Sequence, residues 1–396
     1  MPKLIFVNRF YHPDLSATSQ LLTDAAEFLA RSHDVHIVTS RLSYEGVDQY
    51  SPYQEVANVK IHRVWTTSFG RVNLIGRALD YLTFYAGAFI KLLKLAAPGD
   101  VLIAKTDPPM LSIPVSWAAK LKGARLANWL QDLFPEIALA LGVKLPPILT
   151  NLLFRLRNSS LKTASLNLVI GEMMRSRIIR TGISAQHSVV VPNWSDGDLI
   201  VPVESEQLRR DWSLENKFIV SYSGNFGRAH DFDTLSKGIE MLDSDDSIAF
   251  LMVGGGVSMK RLQSIEYKSV VYKPYQPRDR LPQSLTLPDL HLISLLPKLE
   301  GLVLPSKLYG ILAAGKPIIN IGDSEGEVGT LISRYDIGFN VSVGDVEEFV
   351  RVIKYSRDNP AALKRKGLAS RQLFDSQFGA KRSLRKLEEA LCSIIL

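Results

Sequence analysis

Leu295 to Gly315 reads LLPKLEGLVLPSKLYGILAAG. A strand end runs into a proline-bent loop, and a helix of small and apolar residues follows and closes on Gly315. Lys316-Pro317 then leads into Ile318-Ile319-Asn320-Ile321-Gly322, a run apolar enough to be another buried strand. A strand that feeds a polar loop and then a helix N-terminus is where an open α/β sheet holds an anionic ligand. The loop carries Glu300, Ser306 and Lys307, a carboxylate, a hydroxyl and a cation near amides that point outward. That set suits a sugar hydroxyl and a phosphate together.

The same grammar extends in both directions. Towards the N-terminus, Leu4–Asn8, Val35–Ser40, Val59–Trp65, Val101–Ala104, Ala124–Trp129 and Leu166–Ile170 read as strands, with a helix over Gln20–Ala30. Asn193–Leu214 breaks the pattern with charges and no sustained period, as a linker does. Phe218–Gly224 restarts it, followed by a helix at Thr234–Leu242, a strand at Ile248–Gly256 with a glycine-rich end, and a helix beginning at Met259–Ser264. SVVYKPY, LHLISLLP and PIINIG follow as strands, and Pro360–Phe378 and Ala380–Leu396 read as amphipathic helices. Strands alternating with helices argue for α/β architecture and parallel sheets. With 396 residues, two domains are expected: residues 1–195, residues 196–378, and a C-terminal helix at 379–396 that packs back toward the first domain.

Hydrophobic content of 46% and charged content of 22% describe a folded globular chain. The net charge of +7 and pI of 9.3 suit attraction to polyanions or an anionic membrane face as well as plain solubility. One cysteine, Cys392, excludes an internal disulfide framework and fits a reducing compartment. The N-terminal apolar run is too short for a signal peptide, so a cytoplasmic location is expected. Residues 72–97 are long enough to span a bilayer, but Arg77, Asp80, Lys91 and Lys94 interrupt them. Each charge near a bilayer centre costs about 2.5–3.5 kcal/mol. The segment reads instead as an interfacial amphipathic helix or as a helix packed on its own sheet. Residues 145–162 place Arg155, Arg157 and Lys162 beside Ile148, Leu152, Leu153, Phe154 and Leu156. Two such segments in one half of the chain point to a peripheral contact with the inner-membrane surface.

Several stretches together resemble the GT-B glycosyltransferases, and within them the retaining family-4 type of bacterial cell-surface polysaccharide synthesis. YSGNFGRAHDFDTL (Tyr222–Leu235) is similar to the family's glycine-arginine turn, FLMVGGG to its next strand and turn, and LVLPSKLYGILAAGKPII to its donor-site strand, loop and helix. NRFYHPDLSATSQLLTDAAEFLA and WLQDLFPE resemble the opening loop and helix and the border of the active cleft, and VIGEMMRSRIIRTGISAQHSVVVPNWSD resembles the run into the linker. The resemblance implies two Rossmann-like domains whose parallel sheets face across a cleft. It also implies a nucleotide diphosphate sugar as donor, UDP-linked by default, a lipid-linked or oligosaccharide acceptor, retention of configuration, and no metal or other cofactor. One departure stands out. The family's pair of glutamates, eight positions apart, falls on Leu302 and Gly310, with Glu300 two positions earlier. The usual lysine after the glycine-arginine turn is displaced, and His230 stands near its place.

Sugar transfer needs cations or amides in place for the growing diphosphate charge, electron-rich groups near the oxocarbenium-like sugar, and exclusion of water. Arg228 is the first candidate for the diphosphate because its planar fork fits phosphate oxygens, and Lys307 is the second. Gly224, Asn225 and Gly227 allow the backbone to approach a ligand closely, and Gly254 and Gly255 either do the same or simply turn the chain. Ser306 reads as a phosphate donor or a helix cap, and Pro305, Leu308, Tyr309 and His230 complete the donor set. Glu300 reads as a partner for donor-sugar hydroxyls or as a surface carboxylate. Asp132 orients or deprotonates an acceptor hydroxyl, or caps a helix. Asp107, in the same position after its strand, carries the same two readings. Glu136 and His12 complete the acceptor side. The seven histidines are scattered without metal-ligand spacing.

A nucleotide-sugar 2-epimerase shares the two-domain plan but needs no membrane segment. A NAD-dependent dehydrogenase is disfavoured because the loop after the first strand, NRFYHPDLSATS, is no G-x-G-x-x-G. The glycine at 310 keeps open a non-catalytic nucleotide-sugar-binding subunit. The basic residues are dispersed and form no recognisable RNA or DNA module, so no nucleic-acid partner is expected.

Overall fold

The computed structural model describes residues 2–14, 16–43, 50–70 and 74–395. It divides into two compact units, Met1–Pro192 with Leu384–Leu396, and Asn193–Ser383.

The first unit is built on eight strands: β1 (Lys3–Val7), β2 (Asp34–Ser40), β3 (Tyr53–Val56), β4 (Val59–Val64), β5 (Val101–Ala104), β6 (Arg125–Trp129), β7 (Leu166–Val169) and β8 (Ser188–Val190). Their order is β3-β4-β2-β1-β5-β6-β7-β8, parallel except for the β3–β4 pair. Strands covered on both faces become almost wholly apolar, and β1 and β5 are buried nearly end to end. The strand order reverses between β1 and β5, the switch point at which open α/β sheets form a crevice beyond the strands' carboxyl ends. Main-chain bonds join those ends: Lys105 N–H donates to the Val7 carbonyl at 3.1 Å, and Arg9 N–H to the Asp107 carbonyl at 2.7 Å.

The expected helix over residues 72–97 forms at Leu74–Leu95; Val72 and Asn73 lie outside the described residues. Its residues divide at helical spacing. Asp80, Phe84, Ala88 and Leu92 are buried, whereas Ile75, Leu79, Leu82 and Ile90 are exposed. Asp80 does not interrupt a membrane face. It faces inward, accepts from the Phe69 and Gly70 amides at 3.0 Å each, and pairs with Arg9 at 3.5 Å. A helix at Ser112–Lys122 packs between this one and the Pro147–Thr163 helix. It leaves Trp117 and Leu121 exposed, and the third helix leaves Ile148, Leu149 and Leu152 exposed. No helix among the described residues is long and apolar enough to cross a membrane. The C-terminal segment contributes to this unit through Glu388, which accepts from the Ser32 hydroxyl at 2.8 Å.

The second unit holds six strands: β9 (Phe218–Asn225), β10 (Ile248–Gly255), β11 (Val270–Lys273), β12 (Leu290–Ser294), β13 (Ile318–Ile321) and β14 (Gly338–Val341). They run parallel in the order β11-β10-β9-β12-β13-β14, so the switch point falls between β9 and β12. Its core joins Tyr222, Phe226, Phe232, Phe250, Ile319 and Phe349.

Some expectations are corrected. The 193–214 stretch contains a short helix at Glu206–Asp211. Pro360–Phe378 is a helix only to Leu373, continuing as one wider turn over Phe374–Phe378. Strands β3, β8 and β14 and the Ser112–Lys122 helix are additions.

Candidate active site

In the second unit, β9 and β10 end side by side, with Gly254 opposite Gly224 and Gly255 opposite Asn225. Gly254 has φ +127°, and a Cβ there would stand 2.2 Å from the Gly224 carbonyl oxygen, so only glycine allows the two strand ends to meet. Phe226 N–H donates to the Gly255 carbonyl at 2.8 Å and closes the turn.

Lys307 comes to this turn from the other side of the switch point, as the first residue of the Lys307–Ala313 helix. Its Nζ is buried and has no hydrogen-bond partner among the described residues. It lies 3.3 Å from the centroid of the Tyr222 ring, within 4 Å of where a Gly224 Cβ would be. Burial pushes its pKa well below the ordinary lysine range. His230 stands beside it. The ring donates from Nδ1 to the Ser294 carbonyl at the end of β12, and its pKa is lowered to about 4 by burial and by the Lys307 charge. Asp231 N–H donates to Ser294 Oγ at 2.8 Å, and Leu296 N–H to the Ala229 carbonyl at 2.9 Å. The segment carrying Arg228 is therefore fastened to β12 on one side and to the glycine turn on the other, while Arg228 itself is exposed.

Gly224, Asn225, Gly227, Arg228, His230, Gly254, Gly255 and Lys307 thus lie together at the carboxyl ends of β9, β10 and β12. Other members of the donor set are placed differently. Leu308 and Tyr309 are buried, Tyr309 edge-on to Phe378 at 5.4 Å, and Pro305 is buried too, so their side chains belong to the core. Ser306 makes no capping hydrogen bond and is exposed, which removes the helix-cap reading. Glu300 is not a free surface carboxylate. Its Oε2 accepts from the Glu327 amide at 3.2 Å, at the start of the Glu327–Tyr335 helix, and a Cβ on Gly326 would stand 2.4 Å from its carboxyl carbon. Burial raises its pKa to about 7; the Glu327 amide opposes this, and the Asp323 and Glu327 charges add to it. At Gly310, an added Cβ would stand 3.3 Å from Leu285 Cδ1.

In the first unit, Asp107 follows β5 and Asp132 follows β6. Neither caps a helix: the Glu136–Ala140 helix is preceded by Pro135, and the Ser112–Lys122 helix by Leu111. Burial raises the Asp132 pKa to about 6, with the Asp107 charge adding and a Thr106 hydrogen bond opposing. Glu136 is paired with the buried Arg157 guanidinium. His12 is exposed in the loop after β1, and its carbonyl accepts from Arg63 Nη2 at 2.9 Å. Sequence reasoning missed Lys105, which is buried with its amine 3.8 Å from the Trp129 ring centroid. No group of three His, Cys, Asp or Glu among the described residues could hold a metal ion.

Residues 18–194 match the family model described as a glycosyl transferase 4-like domain. A glycosyl transferase of Escherichia coli (strain K12) assigned to colanic acid biosynthesis, WcaI, is 25% identical over 376 residues, covering 89% of this chain and 91% of that protein. Among solved structures, sucrose-phosphate synthase from Thermosynechococcus elongatus superposes with a TM-score of 0.78 at 14% identity, covering 100% of this chain and 99% of that one. HepE of Anabaena, in complex with UDP and glucose, superposes at 0.74 and 15% identity, covering 99% and 100%. The fold is GT-B. The protein is a glycosyltransferase.

Proposed function

We propose that the protein transfers a sugar from a nucleotide diphosphate donor, a UDP-sugar, to a lipid-linked or oligosaccharide acceptor, with retention of configuration and without a metal, at the cytoplasmic face of a membrane during cell-surface polysaccharide synthesis. The observation that carries the reading is the glycine-walled turn at the ends of β9 and β10 with the bare Lys307 amine against it. A diphosphate brings the charge that this amine lacks, and main-chain amides at the turn supply further donors. Arg228, exposed on a fastened segment, closes its fork over the phosphates. As the bond from the anomeric carbon to the diphosphate oxygen breaks, these groups hold the negative charge that develops. The acceptor oxygen bonds to the same face of the anomeric carbon, and its proton passes to the leaving phosphate. Neutral His230, held by Ser294, shapes the site without adding charge. Further support comes from the UDP complex of the structurally similar HepE and the pathway assigned to WcaI.

A thermal-shift panel of UDP, GDP, UDP-glucose, UDP-N-acetylglucosamine and NAD tests the donor class. Stabilisation by UDP or its sugars and not by NAD is expected, growing as RT ln(1 + [L]/Kd). Stabilisation by NAD alone would overturn the reading. Arg228→Ala should cut turnover at least about 100-fold while leaving the melting temperature in place.

A further inference from the structure

The first unit holds a set of unmet polar groups of its own. Beyond the carboxyl ends of β5 and β6 is a cavity of about 30 Å³, lined by Lys105, Thr106, Asp132 and Arg157 among apolar neighbours such as Leu130 and Phe134. Lys105 and Arg157 are 1% and 5% exposed. Among the described residues, Lys105 Nζ, Asp132 Oδ1 and Arg157 Nε and Nη1 are buried without a hydrogen-bond partner. Arg157 spends its other nitrogen on Glu136. Buried polar atoms nearly always find partners, so several orphans around one space mark a place prepared for something.

We propose that this cavity seats one hydroxyl group of the acceptor sugar, which accepts a hydrogen bond from Lys105 and donates one to Asp132. The inference rests on the transferase reading above and names its acceptor subsite. Size, charge and position support it. A space of this volume admits a small polar group such as a hydroxyl. Arg157 is already paired with Glu136, which lies outside the lining, and burial lowers the Lys105 pKa to about 7 beside the carboxyl of Asp132, with Asp107 nearby, so little net positive charge is left over for an anion. What remains is a neutral group that both donates and accepts, which is a hydroxyl. Finally, Lys105 directly follows β5, beside the switch point of its sheet. The contact with Trp129 gives Lys105 a structural use but leaves its three N–H donors unmet.

The test uses the full chain and methyl glycosides of common hexoses and N-acetylhexosamines as probes, followed by thermal shift and calorimetry. At least one glycoside should bind. Lys105→Met, which keeps the packing on Trp129, should weaken that binding by about ten-fold or more, as expected for loss of a hydrogen bond to a charged group, and should melt no lower than the parent. The monodeoxy series of the bound glycoside, run on the unaltered protein, keeps the test independent of any variant's folding. A site built around one hydroxyl rejects the analogue that lacks it, so a single position should dominate the loss. Binding by none of the glycosides, equal binding to Lys105→Met, or equal losses at every deoxy position would each overturn the proposal. UDP is run alongside. If UDP fails to stabilise the unaltered protein, the donor reading falls, whatever the glycosides do; if UDP binds and the glycosides do not, only this inference falls.

Discussion

An ammonium at Lys307 loses its water without gaining a carboxylate, and the Tyr222 face repays only part of that loss. The groups packed around it, Tyr222, His230 and, more distantly, His291, are neutral at neutral pH. The amine is therefore biased towards its neutral form until an anion arrives. Docking of UDP should draw a proton onto it. Calorimetry of UDP binding in buffers of different ionisation enthalpy should reveal uptake approaching one proton, with affinity weakening as pH rises through the window between the free-site and bound-site pKa values. Lys307→Met should abolish the uptake and weaken UDP about ten- to hundred-fold. Binding with no proton exchange in the unaltered protein would refute this account of the lysine. Gly254 sets a different constraint. Alanine there meets the Gly224 oxygen and adopts a positive φ, so Gly254→Ala should cost more than about 2 kcal/mol by urea unfolding and remove the UDP-induced thermal shift. A stable, UDP-binding variant would mean that the turn can open at little cost.

Among the elements, the Glu327–Tyr335 helix depends on a residue far from it in sequence. Gly326, at its N-cap, brings no side chain to the cap, and the Glu300 carboxylate accepts the Glu327 amide in its place. Glu300 has a folded-state pKa of about 7 against 4.5 for the ordinary group. Between those values the native state binds more protons than the unfolded one, so this group's contribution is present at low pH and is lost as pH rises through 7. For a group in partial contact with solvent the effect is on the order of 1–2 kcal/mol. Glu300→Gln keeps an acceptor for the amide and cannot ionise, so its unfolding free energy should vary less between pH 5 and pH 7.5 than the parent's. An unchanged difference would assign the pH dependence to other groups, Asp132 first. The elements also explain what could be read from the sequence. Parallel strands buried on both faces announce themselves as apolar runs, and β1, β2, β5, β9, β10, β12 and β13 all do so. Strand β3 is YQEV, exposed except at the half-buried Val56, and it is joined to β4 through Ala57 and Asn58 at positive φ, a turn usually marked by glycine. The Ser112–Lys122 helix is obscured by DPPMLSIP, whose prolines suggest a loop. The clustering of the glycines, Arg228 and Lys307 at the ends of β9, β10 and β12 was legible because the proposed diphosphate chemistry calls for glycines and cations in those loops. Lys105 was not, since a lysine after a strand looks like any surface cation until Trp129 and Arg157, distant in sequence, are seen to enclose it.

At the scale of the whole chain, the proposed lipid-linked acceptor raises the question of how a protein with a net charge of +7 would meet a membrane surface. The charges alone give an attraction to anionic headgroups of about 1 kcal/mol for each basic residue near the surface, and salt weakens it. The three neighbouring helices of the first unit add Ile75, Leu82, Trp117, Leu121, Ile148 and Leu152, all exposed, with Lys94, Lys120 and Arg155 exposed on the same helices. Apolar side chains entering the headgroup boundary contribute in proportion to buried area and are nearly indifferent to salt. The two contributions can therefore be separated. Co-sedimentation should show binding to phosphatidylglycerol-containing vesicles and little to pure phosphatidylcholine, reduced but not abolished by added salt. Replacing Trp117, Ile148 and Leu152 together by serine should remove the salt-resistant part while leaving UDP binding untouched, because all three lie in the unit that lacks the donor residues. If the triple variant binds vesicles as well as the parent at high salt, these helices are not the membrane face, and their exposed side chains serve some other contact.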